Sequence, residues 1–361
     1  MWVVLASCAL ALLLVATGVV VLLHDRTTTA SATVAAPPAA LTVVSTAPSG
    51  NSVAAGSTIS VQFSTALAPG SPMPTLSPAV TGAWVALSPS LLQYQATGPL
   101  VPGVSETITI PGGVSGIVGA RGQHLAAAVT QQFTVAPGSM LRLQELLAEL
   151  GYLPLTFTPA APVTSPSQEG NDQEGTFSWR WPNQAAALTS LWTQGVNNVI
   201  TQGAVMNFES QHGLTTDGIA GPAVWTYLLA DVQSGHGNAL NYDYVLVNKT
   251  LPETATVFEN GVSVYSTLVN TGVPAAPTES GTWPVYARFL VTTMTGTNPN
   301  GTKYVDPGIP WVSYFHGGDA LHGFIRGSYG WPQSDGCVEM PPAHAEVVFP
   351  LTPIGTLVTV L

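Results

Sequence analysis

Two side chains in the last third of this chain have the types and spacing of a nucleophile and its base. They are Cys337, in Ser334-Asp335-Gly336-Cys337-Val338, and His322, in Leu321-His322-Gly323. A thiol beside an imidazole passes on its proton and attacks a carbonyl carbon, so the expected chemistry is acyl transfer through a thioester. Ser334-Asp335-Gly336 supplies turn residues with small side chains. Such a turn leaves consecutive backbone N–H groups facing one point, and those of Gly336 and Cys337 would form an oxyanion hole. No carboxylate is required: a backbone carbonyl can orient the imidazole, and Gly323 is well placed for it. The plainer alternative is a buried apolar cysteine; the adjoining glycine and the upstream histidine weigh against it. The only other cysteine, Cys8, sits in an apolar amino-terminal run, so no disulfide joins the two.

Further candidates surround this pair. His316 is a rival base six residues before His322, and continued strand alternation would put both on one face. Arg326 would bind a substrate carboxylate, against the commoner fate of a solvated loop arginine. Tyr304 and Trp311 would wall the cleft, although packing is the commoner fate of each, and Trp331 would belong to a cleft-lining loop. Asp335 and Glu339 add negative charge near the thiol, which raises a thiol pKa and repels anionic substrate groups.

The elements that must position these residues follow from composition and periodicity. With 361 residues, two to three domains are expected. Hydrophobic residues make up 46% and charged residues only 7%, so real cores are available and the surface relies on Thr, Ser, Asn, Gln and Gly. The net charge of -11 excludes a phosphate-tracking surface, and hence nucleic acid, as the main partner. No Cys/His cluster has zinc spacing and no acidic run forms a calcium loop, so neither metal nor cofactor is expected.

The fold class reads as multidomain and mainly β. Residues 1–24, with the apolar run Trp2 to Leu23, are expected to form a transmembrane helix that anchors the protein in the membrane, or a cleaved signal segment. Residues 25–41 form a Thr/Ala/Pro linker. Residues 42–137 alternate with period two, as in Ile59, Val61 and Phe63, and suggest a β-sandwich. Residues 139–233 switch to helical period, with Leu143, Leu146, Leu147 and Leu150 on one face after an N-capping Ser139. Within them, residues near 155–183 form an insertion whose Pro/Ser/Gln/Gly-rich part reads as loose. Its aromatics Phe177, Trp179 and Trp181 would be a half-buried strand or a sugar platform. From residue 241 to 361 the pattern returns to β, with a hairpin turn at Glu259-Asn260-Gly261.

This last region resembles the YkuD family of L,D-transpeptidases. The pattern His-Gly, a gap, then Ser-x-Gly-Cys and an apolar residue is met by His322-Gly323, Ser334, Gly336, Cys337 and Val338. Thr271-Gly272, Pro277-Thr278 with Gly281, and Gly355-Thr356 with Val358 match its outer motifs. Residues 139–233 resemble the small three-helix peptidoglycan-binding domain. The match runs through Leu143, Leu146 and Leu150-Gly151-Tyr152-Leu153, then Phe208, Gly213-Leu214, Asp217-Gly218-Ile219, Gly221-Pro222 and Trp225. Residues 42–137 resemble bacterial immunoglobulin-like modules in architecture alone.

The resemblance implies an extracytoplasmic wall enzyme whose partners are peptidoglycan stem peptides and glycan. Cys337 would take the acyl group of a stem peptide and pass it to the side-chain amine of a second stem, giving a 3→3 cross-link, and carbapenems would acylate the same sulfur. Water as acceptor would instead make it an L,D-carboxypeptidase. Asp335 and Glu339 depart from the family, where His and then Arg or Asn are common. A non-catalytic wall-binding protein is the alternative those departures suggest, and a redox thiol sensor is more remote.

Overall fold

The computed structural model describes residues 39–165 and 168–361. The expected transmembrane helix is corrected here. Among the described residues no helix is long and apolar enough to cross a membrane. The longest have 13 residues, which at ~1.5 Å rise each fall well short of a ~30 Å hydrocarbon core. The run Trp2 to Leu23, on which that expectation rested, lies outside the described residues.

Eight strands form the first domain: β1 (Val43–Ala47), β2 (Gly50–Val53), β3 (Ile59–Phe63), β4 (Thr75–Ser77), β5 (Gly82–Ser88), β6 (Leu91–Ala96), β7 (Ser105–Ile110) and β8 (Val129–Val135). They make two four-stranded sheets, β1-β3-β6-β5 and β2-β8-β7-β4. Alternation decides which face is buried: Ile59, Val61 and Phe63 share a core with Ile108, Ile110, Phe133 and Val135.

The second domain opens with α1 (Met140–Glu149), whose N-cap Ser139 accepts from the Arg142 N–H at 2.9 Å. A hairpin of β9 (Leu155–Pro159) and β10 (Gly175–Trp179) follows, then the single turn α2 (Ala186–Thr189), α3 (Val199–Gln211) and α4 (Pro222–Ser234). The insertion therefore carries a strand pair, and Phe177 packs on Phe157 and Trp192 at 5.0 and 5.3 Å between ring centres. At Glu169 its Pro/Ser/Gln/Gly-rich part is tied to α1. The fully buried Arg142 guanidinium donates to the Glu169 carboxylate at 2.9 Å and, through Nε, to the Glu169 carbonyl at 2.8 Å.

The third domain has two sheets. The first contains β11 (Asp243–Asn248), β12 (Thr254–Glu259), β13 (Val262–Leu268) and β14 (Gly281–Pro284). The second contains β15 (Ala287–Thr297), β16 (Lys303–His316), β17 (Asp319–Gly323) and β18 (Val338–Met340). After α5 (Pro342–Val348), β19 (Leu357–Val360) returns to the first sheet, giving the orders β13-β12-β11-β19-β14 and β15-β16-β17-β18. The β12–β13 turn has positive φ at both Asn260 and Gly261, the geometry that favours Asn-Gly in two-residue hairpins. Between the sheets lie Val245, Val247, Phe315, Leu321, Val338 and Val358.

The helical domain seats directly on this third domain. Tyr244 and Leu357 belong to the core of the helices. A Cβ on Gly203 of α3 would lie 2.5 Å from the Gly355 carbonyl oxygen, so glycine is what permits that backbone contact. The Asn207 amide locks it by donating to the Ile354 carbonyl at 3.0 Å.

Candidate active site

Parallel strands β17 and β18 lie side by side, with Leu321 opposite Val338 and His322 opposite Glu339. This pairing sets the carboxyl end of one histidine-bearing strand against the start of the strand that follows Cys337. Both Cys337 and His322 line an open cavity of about 330 Å³, together with Tyr304, Asp306, Arg326 and Asp335.

The turn before Cys337 is stitched from inside. The Ser334 hydroxyl donates to the Cys337 carbonyl at 2.6 Å and accepts the Gly336 N–H at 3.2 Å. The buried Thr278 hydroxyl donates to the Gly336 carbonyl at 2.7 Å and accepts the Gly272 N–H at 2.8 Å. Asn270 exchanges both backbone bonds with Glu339, at 2.8 and 2.9 Å. Gly336 has φ +116, and a Cβ there would lie 2.4 Å from Asp319 Oδ1, so no other residue fits before Cys337.

His322 is almost fully buried, and its Nδ1 lies 3.1 Å from the Gly323 carbonyl. A carbonyl only accepts, so Nδ1 carries the proton and Nε2 keeps its lone pair. Burial lowers the imidazole's pKa, opposed by the Gly323 hydrogen bond and the Glu339 charge. The ring is therefore a neutral base at neutral pH.

Cys337 remains partly open to the cavity. Desolvation pushes its thiol up to about 12, with Asp319, Glu339 and Asp335 adding to the shift and a hydrogen bond from the Ala320 N–H opposing it. The S–H points to the Gly318 carbonyl at 3.8 Å, and no thiol–imidazole hydrogen bond forms among the described residues. Catalytic hydrogen bonds are often long without substrate and tighten on binding. The resting pair is thus a neutral thiol and a neutral imidazole that share one cavity.

The other candidates separate. Arg326 grips Glu339 with two bonds, both 2.8 Å, so the Glu339 charge that seemed to oppose the thiol is matched by a guanidinium. Tyr304 and Asp335 line the cavity. His316 does not: its ring stacks on Trp283 at 4.2 Å, and its Nδ1 lies 4.0 Å from Asp319. β16 ends at His316 and β17 begins at Asp319 after a register irregularity, so strand alternation does not carry through to His322. Trp331 is 48% exposed, is absent from the cavity wall, and donates to Ser328 Oγ at 3.0 Å. Thr278, named in the sequence only as part of an outer motif, touches the turn before Cys337, and Asp319 and Ala320, not named there, lie at that turn and at the sulfur. For Asp319 the signal was only a carboxylate three residues before His322. Among the described residues no group of side chains could hold a metal ion.

Residues 242–360 match the family described as L,D-transpeptidase catalytic domain, and residues 190–228 match the peptidoglycan binding domain family. The chain therefore carries a catalytic domain of the L,D-transpeptidase family, preceded by a peptidoglycan-binding domain. Among solved structures, an L,D-transpeptidase from Mycobacterium smegmatis is similar at 12% identity, covering 90% of this chain and 100% of its own, with a TM-score of 0.31. The E. faecium L,D-transpeptidase catalytic domain acylated by ertapenem is 25% identical over 35% of this chain and 100% of its own, also at 0.31. L,D-transpeptidase 3 from Mycobacterium tuberculosis, with a faropenem-derived adduct, is 12% identical over 88% and 97%, at 0.30. The family assignment rests on the domain matches. No curated protein sequence matches the chain.

Proposed function

We propose that this protein is a cell-wall L,D-transpeptidase that forms 3→3 cross-links between peptidoglycan stem peptides through a thioester on Cys337. The observation that carries the reading is the fixed tautomer of His322 in the same cavity as the thiol. Nε2 takes the thiol proton as sulfur attacks the carbonyl of the third stem residue. The same proton passes to the departing amine of the terminal D-alanine. A second stem's side-chain amine then attacks the thioester, gives its proton to Nε2, and expels the sulfur, which regains that proton.

Backbone N–H groups around the Gly336–Cys337 turn would stabilise the oxyanion, with Ser334 and Thr278 holding the turn. Arg326, Tyr304 and Asp335 would contact the stem. Their site lies outside the cytoplasm, at the wall, where the substrate is found. Water in the acceptor's place would yield the carboxypeptidase product from the same thioester.

Intact mass of the protein after mixing with a stem tetrapeptide, and separately with a carbapenem, tests this. A covalent adduct is expected on wild type and not on Cys337→Ser. Adding an acceptor stem should convert the adduct to a cross-linked dimer. Folded wild-type protein that takes up neither reagent would leave a wall-binding protein as the better reading, and hydrolysis alone would make it a carboxypeptidase.

A further inference from the structure

A cavity of about 450 Å³ with no assigned role lies away from the thiol, between the amino-terminal β domain and α4. Its walls are mainly apolar: Val80, Val101 and Val104 on the β side and Leu229 on the helix, with Gln233 at the edge. The two walls touch around it. A Cβ on Gly98 would lie 2.7 Å from Gln233 Nε2, and one on Gly103 would lie 3.3 Å from Pro222. One lining residue does not belong in such a place. Glu106 lies on β7 at the position where alternation with Ile108 and Ile110 calls for an apolar side chain. It is 2% exposed, and its Oε2 has no hydrogen-bond partner among the described residues.

A buried carboxylate oxygen without a partner is costly, and folded proteins rarely keep one without a use. Cavities of a few hundred Å³ at domain boundaries, apolar with one or two polar groups, are where small molecules bind. We infer that this cavity is a binding site for a compact, mainly apolar molecule carrying one ammonium group, with Glu106 as its counter-charge. The volume is too small for a folded protein segment, and the wall lacks the aromatic faces on which a sugar would stack. Burial pushes the Glu106 carboxyl up to about 7, as expected where no cation answers it. An ammonium ligand binds the ionised form, so its affinity should rise as pH rises through that value.

Cyclohexylmethylamine, which stays charged between about pH 6 and pH 8, serves as the probe. It is titrated into the full chain by calorimetry, beside the neutral cyclohexylmethanol. Saturable binding is expected to wild type, stronger at the higher pH, and at least about tenfold weaker for the alcohol and for Glu106→Leu. Glu106→Leu suits the strand's apolar alternation, and Leu229→Trp fills the cavity from the helix side should the first variant fail to fold. Acylation of Cys337 should be unchanged in both. No saturable binding of the amine to wild type, equal binding of the alcohol, or full binding to both variants would overturn the inference.

Discussion

The thiol and imidazole begin uncharged because burial acts on them in opposite directions, raising Cys337 and lowering His322. A preformed thiolate–imidazolium pair would react with any small electrophile, and a neutral pair is slower to do so. Alkylation of Cys337 by iodoacetamide should therefore still be accelerating at about pH 10, beyond where an ordinary thiol levels off. Asp319 is among the charges that raise the thiol, so Asp319→Asn should speed alkylation several-fold at a given pH; an unchanged rate would remove Asp319 from the account. The Arg326–Glu339 pair makes an asymmetric prediction. The Glu339 side chain is 6% exposed and that of Arg326 31%. Arg326→Gln strands a buried carboxylate and should cost about 3 kcal/mol, whereas Glu339→Gln leaves a half-solvated guanidinium and should cost about 1 kcal/mol. Denaturant unfolding of the two variants compares them directly, and equal losses would contradict the burial argument. Cys337, His322 and Gly336 were legible because their chemistry is local in sequence. The compensation of Glu339 by Arg326 was not, since neither residue's position tells how the chain between them will fold back across thirteen positions.

Elements with strong periodicity were plain before any coordinates: the alternation of Ile59, Val61 and Phe63, the leucine face of α1, and the Asn260-Gly261 turn. What stayed hidden were contacts made by backbone atoms or by single side chains far apart in sequence. Thr278 reaches the Gly336 carbonyl across 58 positions, and Asn207 reaches Ile354 across 147. Backbone ladders such as Asn270 with Glu339 leave no residue signature at all. The insertion reads as loose because its composition is that of a loop, and the contact of the buried Arg142 with Glu169 has no signature in that composition. The helix-to-sheet contact is the most sensitive of these joints. Gly203→Ala places a methyl carbon against the Gly355 carbonyl, which must move, at a cost of about 2 kcal/mol. Limited proteolysis should then cut sooner in residues 235–241, between helices and catalytic sheet; an unchanged cleavage pattern would show that the joint tolerates the methyl.

At the scale of the whole molecule the chain is acidic, with net charge -11, and several carboxyls are held in places that disfavour their charge. Burial raises Glu106, Glu209 and Asp243 each to about 7. In the unfolded chain such groups ionise near pH 4 to 4.5. Between those limits the folded state holds more protons than the unfolded one, so stability falls as pH rises from about 4.5 to 7. Thermal unfolding should accordingly come at a higher temperature at about pH 5 than at about pH 8, and Glu106→Gln should flatten the difference. A melting temperature that climbs over this range would refute the assignment of these groups. The order of strands has a further consequence, one of timing. β19 is the last strand of the chain, yet it lies inside its sheet, parallel to β11 and antiparallel to β14. During synthesis from the amino end, β11 and β14 are made long before the strand that must separate them. Until β19 pairs with both, β11 and β14 have no backbone partner on their facing edges, so the first sheet is two pieces that a single strand joins.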